Sequence, residues 1–507
     1  MRKTYGVIAA IAVTALALTG CSASQSAKTD ASSATLTLNN SGDMTTWDPS
    51  EMKEGSIIQY AEAIYDPLLK KSADSKIEAN LATKWSYNSD NTELTLTLRT
   101  GVKFSDGTAF NADAVKTNLE SRSKGAGSAS ETAKGFKSID VVSPTEVKLD
   151  LAAPDPALLA SLATYGGFMA SPKAIEAGTI GKTPVGSGPY TLDKKTVTGT
   201  SYVFDKKADY WDKSAYPFKT VVIKPIVDFT AAYNALSTGQ TEFMYATADM
   251  ADKAKSAGLT VQTVPGEWQG IILQDRAGTK VPALKEVKVR QAINMALDKK
   301  AILKGFYQGY GQVSTQTFNP SSQAWVPSLN SKYPYDVAKA KQLMADAGYA
   351  GGFTLPVVYS DGFQAPLIPI LKQYLAAIGI TLEPVLAGSF ANGGLKVYND
   401  SSAFILSFST NIPAWTDVLN KLTPTSLWNG LGYTDPTVNK YLSEIPSAQG
   451  ADQTKLYREL NTYIVDQAWF APIATLQNVY LSSSKIKVTM QQAQLVPSLR
   501  FFAPATK

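Results

Sequence analysis

The side chains able to carry covalent or metal chemistry in this chain are few: its 507 residues include one cysteine, Cys21, and no histidine. Without histidine the usual general base at neutral pH is missing, and Ser-His-Asp and Cys-His nucleophile activation are excluded. One thiol and no imidazole leave too few soft donors for a protein-built zinc or nickel site. No metal and no cofactor is therefore expected unless a bound chelator brings the missing ligands. Gly178-Thr-Ile-Gly-Lys-Thr183 ends like a phosphate-binding loop. Such a loop needs glycine five positions before the Gly-Lys pair, and Glu176 stands there, so a surface turn is expected instead. Paired carboxylates could hydrolyse a glycoside without histidine, but the sequence singles out no two of them. Binding, not catalysis, is the expected activity.

The lone thiol has its own setting. Arg2 and Lys3 precede the apolar run Val7 to Leu18, and small residues lead to Leu18-Thr19-Gly20-Cys21. This is the order of a secretory signal, and the run is shorter than the about 20 residues a membrane-spanning helix needs. The tetrapeptide resembles a bacterial lipobox, which implies a diacylglycerol thioether on Cys21 and removal of residues 1–20. Residues 21–34 are polar and read as a flexible tether, so the protein is expected at the outer face of a cell membrane, held by lipid.

These features require a folded body to position whatever is bound. Hydrophobic residues make up 44% of the chain and charged residues 18%, the balance of a globular protein in water. The net charge of +5 comes without a lysine or arginine tract, so nucleic acid is not an expected partner. The length fits three domains or one large two-lobed body. Alternation of apolar and polar residues predicts strands at Thr35–Asn39, Glu93–Arg99 and Glu146–Leu151. Helical spacing predicts Val287–Phe306 as one helix, Asp336–Ala347 capped by Asp336 and stopped by Gly348, and Leu367–Ile378 ending at Gly379 before the strand Ile380-Thr-Leu-Glu-Pro-Val. Lys124–Lys134 reads as a surface loop. The fold class is α/β.

Several ordered blocks carry a family resemblance. They are Tyr65-Asp-Pro-Leu-Leu69, Leu81-Ala-Thr-Lys-Trp85, the long block Leu96 to Val115, Gly186-Ser-Gly-Pro-Tyr190, Asp209-Tyr-Trp211, Val289 to Asp298 and Tyr335 to Tyr349. Together, over Leu36 to Arg500, the chain resembles the family 5 bacterial solute-binding proteins, the peptide and nickel class that feeds ABC importers. Each block also has a scaffold role. Asp106-Gly107 suits a turn before a helix starting at Asn111 or Asp113, Gly186 to Pro189 a sharp turn, and Arg290 a paired core arginine.

The resemblance implies a monomer with a two-lobed periplasmic-binding-protein-like fold and a solute cleft between its lobes. Lobe I would take residues 35–62, 187–266 and 485–507, with an extra subdomain at 63–186, and lobe II residues 267–484. The expected partners are a small solute (an oligopeptide, a peptide-like molecule or a glycoside), the permease subunits of an ABC importer, and the membrane through its lipid. A surface receptor without transport is the alternative from another class.

In peptide-binding members an aspartate in a pattern like Trp-x-x-Asp holds the ligand's ammonium. Here the matching stretch runs Ser407 to Asp417, with Phe408 at the tryptophan position and Asn411 at the aspartate position. The arginine that dipeptide binders place after the strand ending at Asp361 is also missing, since no arginine occurs between Arg290 and Arg458. Either Asp417 serves as a displaced anchor or the solute is neutral at that point, a glycoside or a blocked peptide held by aromatic faces. The candidate ligand residues are Asn411, Trp415, Asp417, Phe408, Trp428 and Trp268, with Asn411 placed in the cleft near Trp415.

Overall fold

A computed structural model describes residues 35–360, 364–388, 393–409 and 412–505. Cys21, the signal segment, the tether and Asn411 lie outside the described residues.

The period-two segments form strands as expected. Glu93–Leu98 and Glu146–Leu151 pair antiparallel, with Leu94 opposite Leu149 and Leu96 opposite Val147, so one face is wholly apolar. Both belong to a four-stranded sheet completed by Ala82–Tyr87 and Phe136–Ser143. Its apolar face packs on Val115 and Leu119 of the helix Ala112–Lys124. Asn111 caps that helix through the Ala114 N–H at 3.0 Å, satisfying an amide that the first turn leaves without a partner. The segment 124–134, expected as a loop, carries a short helix at Ser130–Lys134.

The main sheet has eleven strands and runs through the whole molecule. In the first half, Thr35–Asn40 lies parallel to Thr220–Pro225 and Phe243–Ala246. In the second, Phe353–Tyr359 lies parallel to Ile380–Leu386 and Ala403–Ser409. Two long antiparallel strands, Thr260–Leu273 and Phe470–Ser482, join the halves. Their register shifts between Pro265 and Trp268, a bulge at Gly266-Glu267 that bends the ladder where one half gives way to the other.

Helices cover both faces of the second half. Ile271, Leu355, Val357 and Ile405 pack on one side with the helices Val287–Ala296 and Ile368–Ala376. Ile272, Phe404, Leu406 and Phe408 pack on the other with Trp415–Lys421, Pro436–Glu444 and Gly450–Asp466. The single helix expected over 287–306 is two, Val287–Ala296 and Lys299–Gly305. Leu297 is extended, and Asp298 accepts from the Ala301 N–H at 2.9 Å. The aspartate starts a new helix, which outweighs continuity of the apolar face. Asp336 caps Val337–Asp346, and Gly348 and Gly379 take positive φ after their helices, as expected.

The recurring sequence blocks meet as joints of the scaffold. Asp66 accepts from Tyr210 Oη at 2.8 Å and from Trp211 Nε1 at 3.1 Å. Gly188 donates its N–H to Ile64 O at 2.8 Å. Arg290 donates to the carbonyls of Leu284, Lys285 and Gln467. The phosphate-loop-like segment is a turn, with Gly181 O accepting from Trp47 N–H at 3.1 Å.

Candidate solute-binding cleft

Parallel strands gather ligands at their carboxyl ends, because the following loops open there. Both halves of the main sheet bring such ends to the crossing strands. Ala246, the last residue of its strand, lies opposite Val479, and Ser409, the last of its own, lies opposite Glu267. On the edge of the 470–482 strand that faces Ala246, pairing resumes only with Gly311 opposite Leu476. Gln477 and Asn478 therefore sit between two ladders, at the bulge of the neighbouring strand.

Polar side chains concentrate at this place. Glu267 is half-buried. Burial pushes its carboxyl above the ordinary carboxylate range, with the Ser407 hydroxyl pulling it partly back. Ser407 has one hydroxyl proton, and Gln269 Oε1 competes with Glu267 for it. Tyr245, from the first half, sets its hydroxyl 3.5 Å from Asn478 Oδ1 and its ring 5.6 Å from that of Tyr480. Burial and then the nearby charge of Glu267 push the Tyr245 hydroxyl up to about 12. Tyr307, from the second half, is raised by the same two causes. Tyrosines from both halves thus lie within the field of one carboxylate.

The residues expected to bind separate into two groups. Trp268 is fully buried, its ring 5.8 Å from Phe408 and 5.8 Å from Phe470. Trp428 lies 5.2 Å from Phe408 and 5.9 Å from Phe404. Trp268, Phe408 and Trp428 thus form one aromatic cluster between the sheet and its helices. Asp417 joins its underside through Lys421: Oδ1 and Nζ are 3.2 Å apart, with side chains 1% and 2% exposed, and Nζ lies 5.1 Å from the Phe408 ring centre. Its charge is engaged inside the lobe.

Trp415 belongs to the same hydrophobic cluster but also borders the surface. It lines a groove of about 520 Å³ with Leu419, Leu442 and Pro446, facing Phe136, Pro154 and Leu158 of the four-stranded subdomain. Glu267 and Tyr245 escaped the reading of the sequence. The one local signal was a carboxylate after Pro265-Gly266 in an otherwise uncharged strand, a pattern that marks a bulge. Among the described residues no group of three histidine, cysteine, aspartate or glutamate side chains is arranged to hold a metal.

Residues 76–430 match the family described as bacterial extracellular solute-binding proteins, family 5 Middle. The chain belongs to this family. Its relatives include the glutathione-binding protein GsiB of Escherichia coli K12, 29% identical over 467 residues, covering 87% of this chain and 89% of GsiB. HbpA2 from Haemophilus parasuis superposes with a TM-score of 0.83 at 21% identity, covering 93% of this chain and 100% of HbpA2. The periplasmic binding protein DppA from Helicobacter pylori, solved with the peptide STSA, gives 0.71 at 21% identity, covering 94% and 98%. The fold is the two-lobed α/β clamp of this family, and the chain is a solute-binding protein that delivers its solute to an ABC importer. Among the described residues no helix is long and apolar enough to cross a membrane.

Proposed function

We propose that this member captures a short peptide or peptide-like thiol such as glutathione at the carboxyl-end edge of the two half-sheets, and that a lipid on Cys21 holds it at the cell surface. The observation that carries this reading is the polar patch at the crossing strands, fed by both halves, in a chain similar along most of its length to a glutathione-binding protein. A solute touching both lobes favours their closed arrangement by its differential affinity for it.

Mutual packing of Trp268, Phe408 and Trp428 supports a peptide over a neutral glycoside, because their faces are taken up by one another and not offered as a sugar platform. Within this reading Trp415 contacts the solute from the groove, and Asn411, two residues beyond Ser409 in the sequence, is a second contact. Asp417, paired to Lys421, braces the helix Trp415–Lys421. Lobe I comprises 35–62, 187–266 and 485–507, the subdomain 63–186 and lobe II 267–484, with hinges at the bulge.

Titration calorimetry of the mature protein against glutathione, di- to pentapeptides and neutral glycosides tests the substrate class. Binding confined to the peptide group, weakened several-fold by N411A or W415A, is expected. Binding of glycosides alone overturns it. Replacing Cys21 by alanine is expected to release the protein from the membrane fraction, and retention there would refute the lipid anchor.

A further inference from the structure

Glu267 occupies an unusual position for a carboxylate. It lies at the bulge of a crossing strand, directly opposite Ser409, the last residue of its own strand. Among the described residues no lysine or arginine pairs with it, and its recognised polar partner is the Ser407 hydroxyl. Its polar neighbours are uncharged: Ser407 across the ladder, Gln269 two residues along its own strand, and the tyrosines 245 and 307. A half-buried carboxylate with no cation, placed where the strand ends of both halves meet, is positioned to take its counter-charge from a bound solute.

We propose that Glu267 is the anchor for a protonated amine of the solute, supplying from the crossing strand a negative charge that the sequence does not provide at Asn411. The inference rests on the peptide reading above and specifies it: the solute carries a free ammonium group. An ammonium donates to the carboxylate, and charge-assisted bonds of this kind are strong when water is excluded. Because the carboxylate sits on the strand that joins the lobes, the lobes close over the neutralised pair.

The test compares wild type with E267Q in calorimetry against glutathione and alanine peptides, each with a free or an acetylated amine. Wild type is expected to prefer the free amine, and E267Q to lose roughly ten- to a hundredfold for it while acetylated ligands bind both proteins alike. Lowering the pH from 7 through the raised range of the Glu267 carboxyl should weaken the wild type and leave E267Q flat. Tyr245 and Tyr307, the titratable groups facing Glu267, stay neutral throughout because both are raised. Apo E267Q should melt no lower than wild type, since the raised carboxyl means its ionised form opposes folding at neutral pH; a lower melt would itself contradict an uncompensated charge. Undiminished affinity of E267Q for free amines overturns this proposal alone. A wild type blind to every amine in the set overturns it together with the peptide reading.

Discussion

At the residue scale the chain keeps two kinds of charge in its second lobe. Asp417 and Lys421 form an ion pair almost fully removed from water, so each needs the other. Replacing Lys421 by methionine should leave a buried carboxylate without its cation and cost about 3 kcal/mol or more, whereas D417N with K421M together should recover most of that loss. Urea unfolding of the three variants checks it, and additive losses would contradict the coupling. Glu267 is the opposite case, a half-buried carboxylate without a cation among the described residues. The i to i+4 spacing of Asp417 and Lys421 was visible in the sequence, but its meaning depended on a helix beginning at Trp415. Without that helix, Asp417 read equally well as a loop anchor.

At the scale of elements, local chemistry sets most boundaries. The strands Glu93–Leu98 and Glu146–Leu151 and the capped helix Val337–Asp346 follow from alternation, Asp336 and Gly348. These signals act within a few residues, which is why they were legible. The break at Leu297-Asp298 was hidden because the apolar spacing continues across it, and only the Asp298 cap decides. Asp298→Ala should therefore destabilise by about 1 kcal/mol, read as a drop in the urea midpoint with unchanged slope. The cleft was less legible still. Glu267 becomes significant only when Thr260–Leu273 pairs with Ala403–Ser409 across more than a hundred residues, a register no local pattern encodes. Close approach also explains a recurring glycine: a Cβ on Gly188 would come within 2.6 Å of Ile64 O. Gly188→Ala should cost about 1–3 kcal/mol, lowering the melting temperature without altering which solutes bind.

For the whole molecule, the question is what holds the lobes together around a solute. Asn91, at a positive φ in the subdomain turn, donates to Pro446 O at 3.2 Å and accepts from Gln449 Nε2 in the second lobe. These bonds run beside the Trp415 groove, and on the proposed division of the lobes they break when the lobes part. Asn91→Gly keeps the left-handed backbone while removing both bonds. It should shift the population toward open forms and weaken solute binding by about three- to tenfold, by the loss of roughly 1 kcal/mol of closed-state contacts. A variant that binds as wild type would show that this contact does not discriminate open from closed.

The central claim is that solute is trapped between two lobes that close about the bulged strands. Small-angle X-ray scattering of the mature protein, with and without a saturating peptide identified by calorimetry, tests it most directly. Bound peptide should give a smaller radius of gyration. Saturating binding heat with an unchanged scattering profile would contradict it.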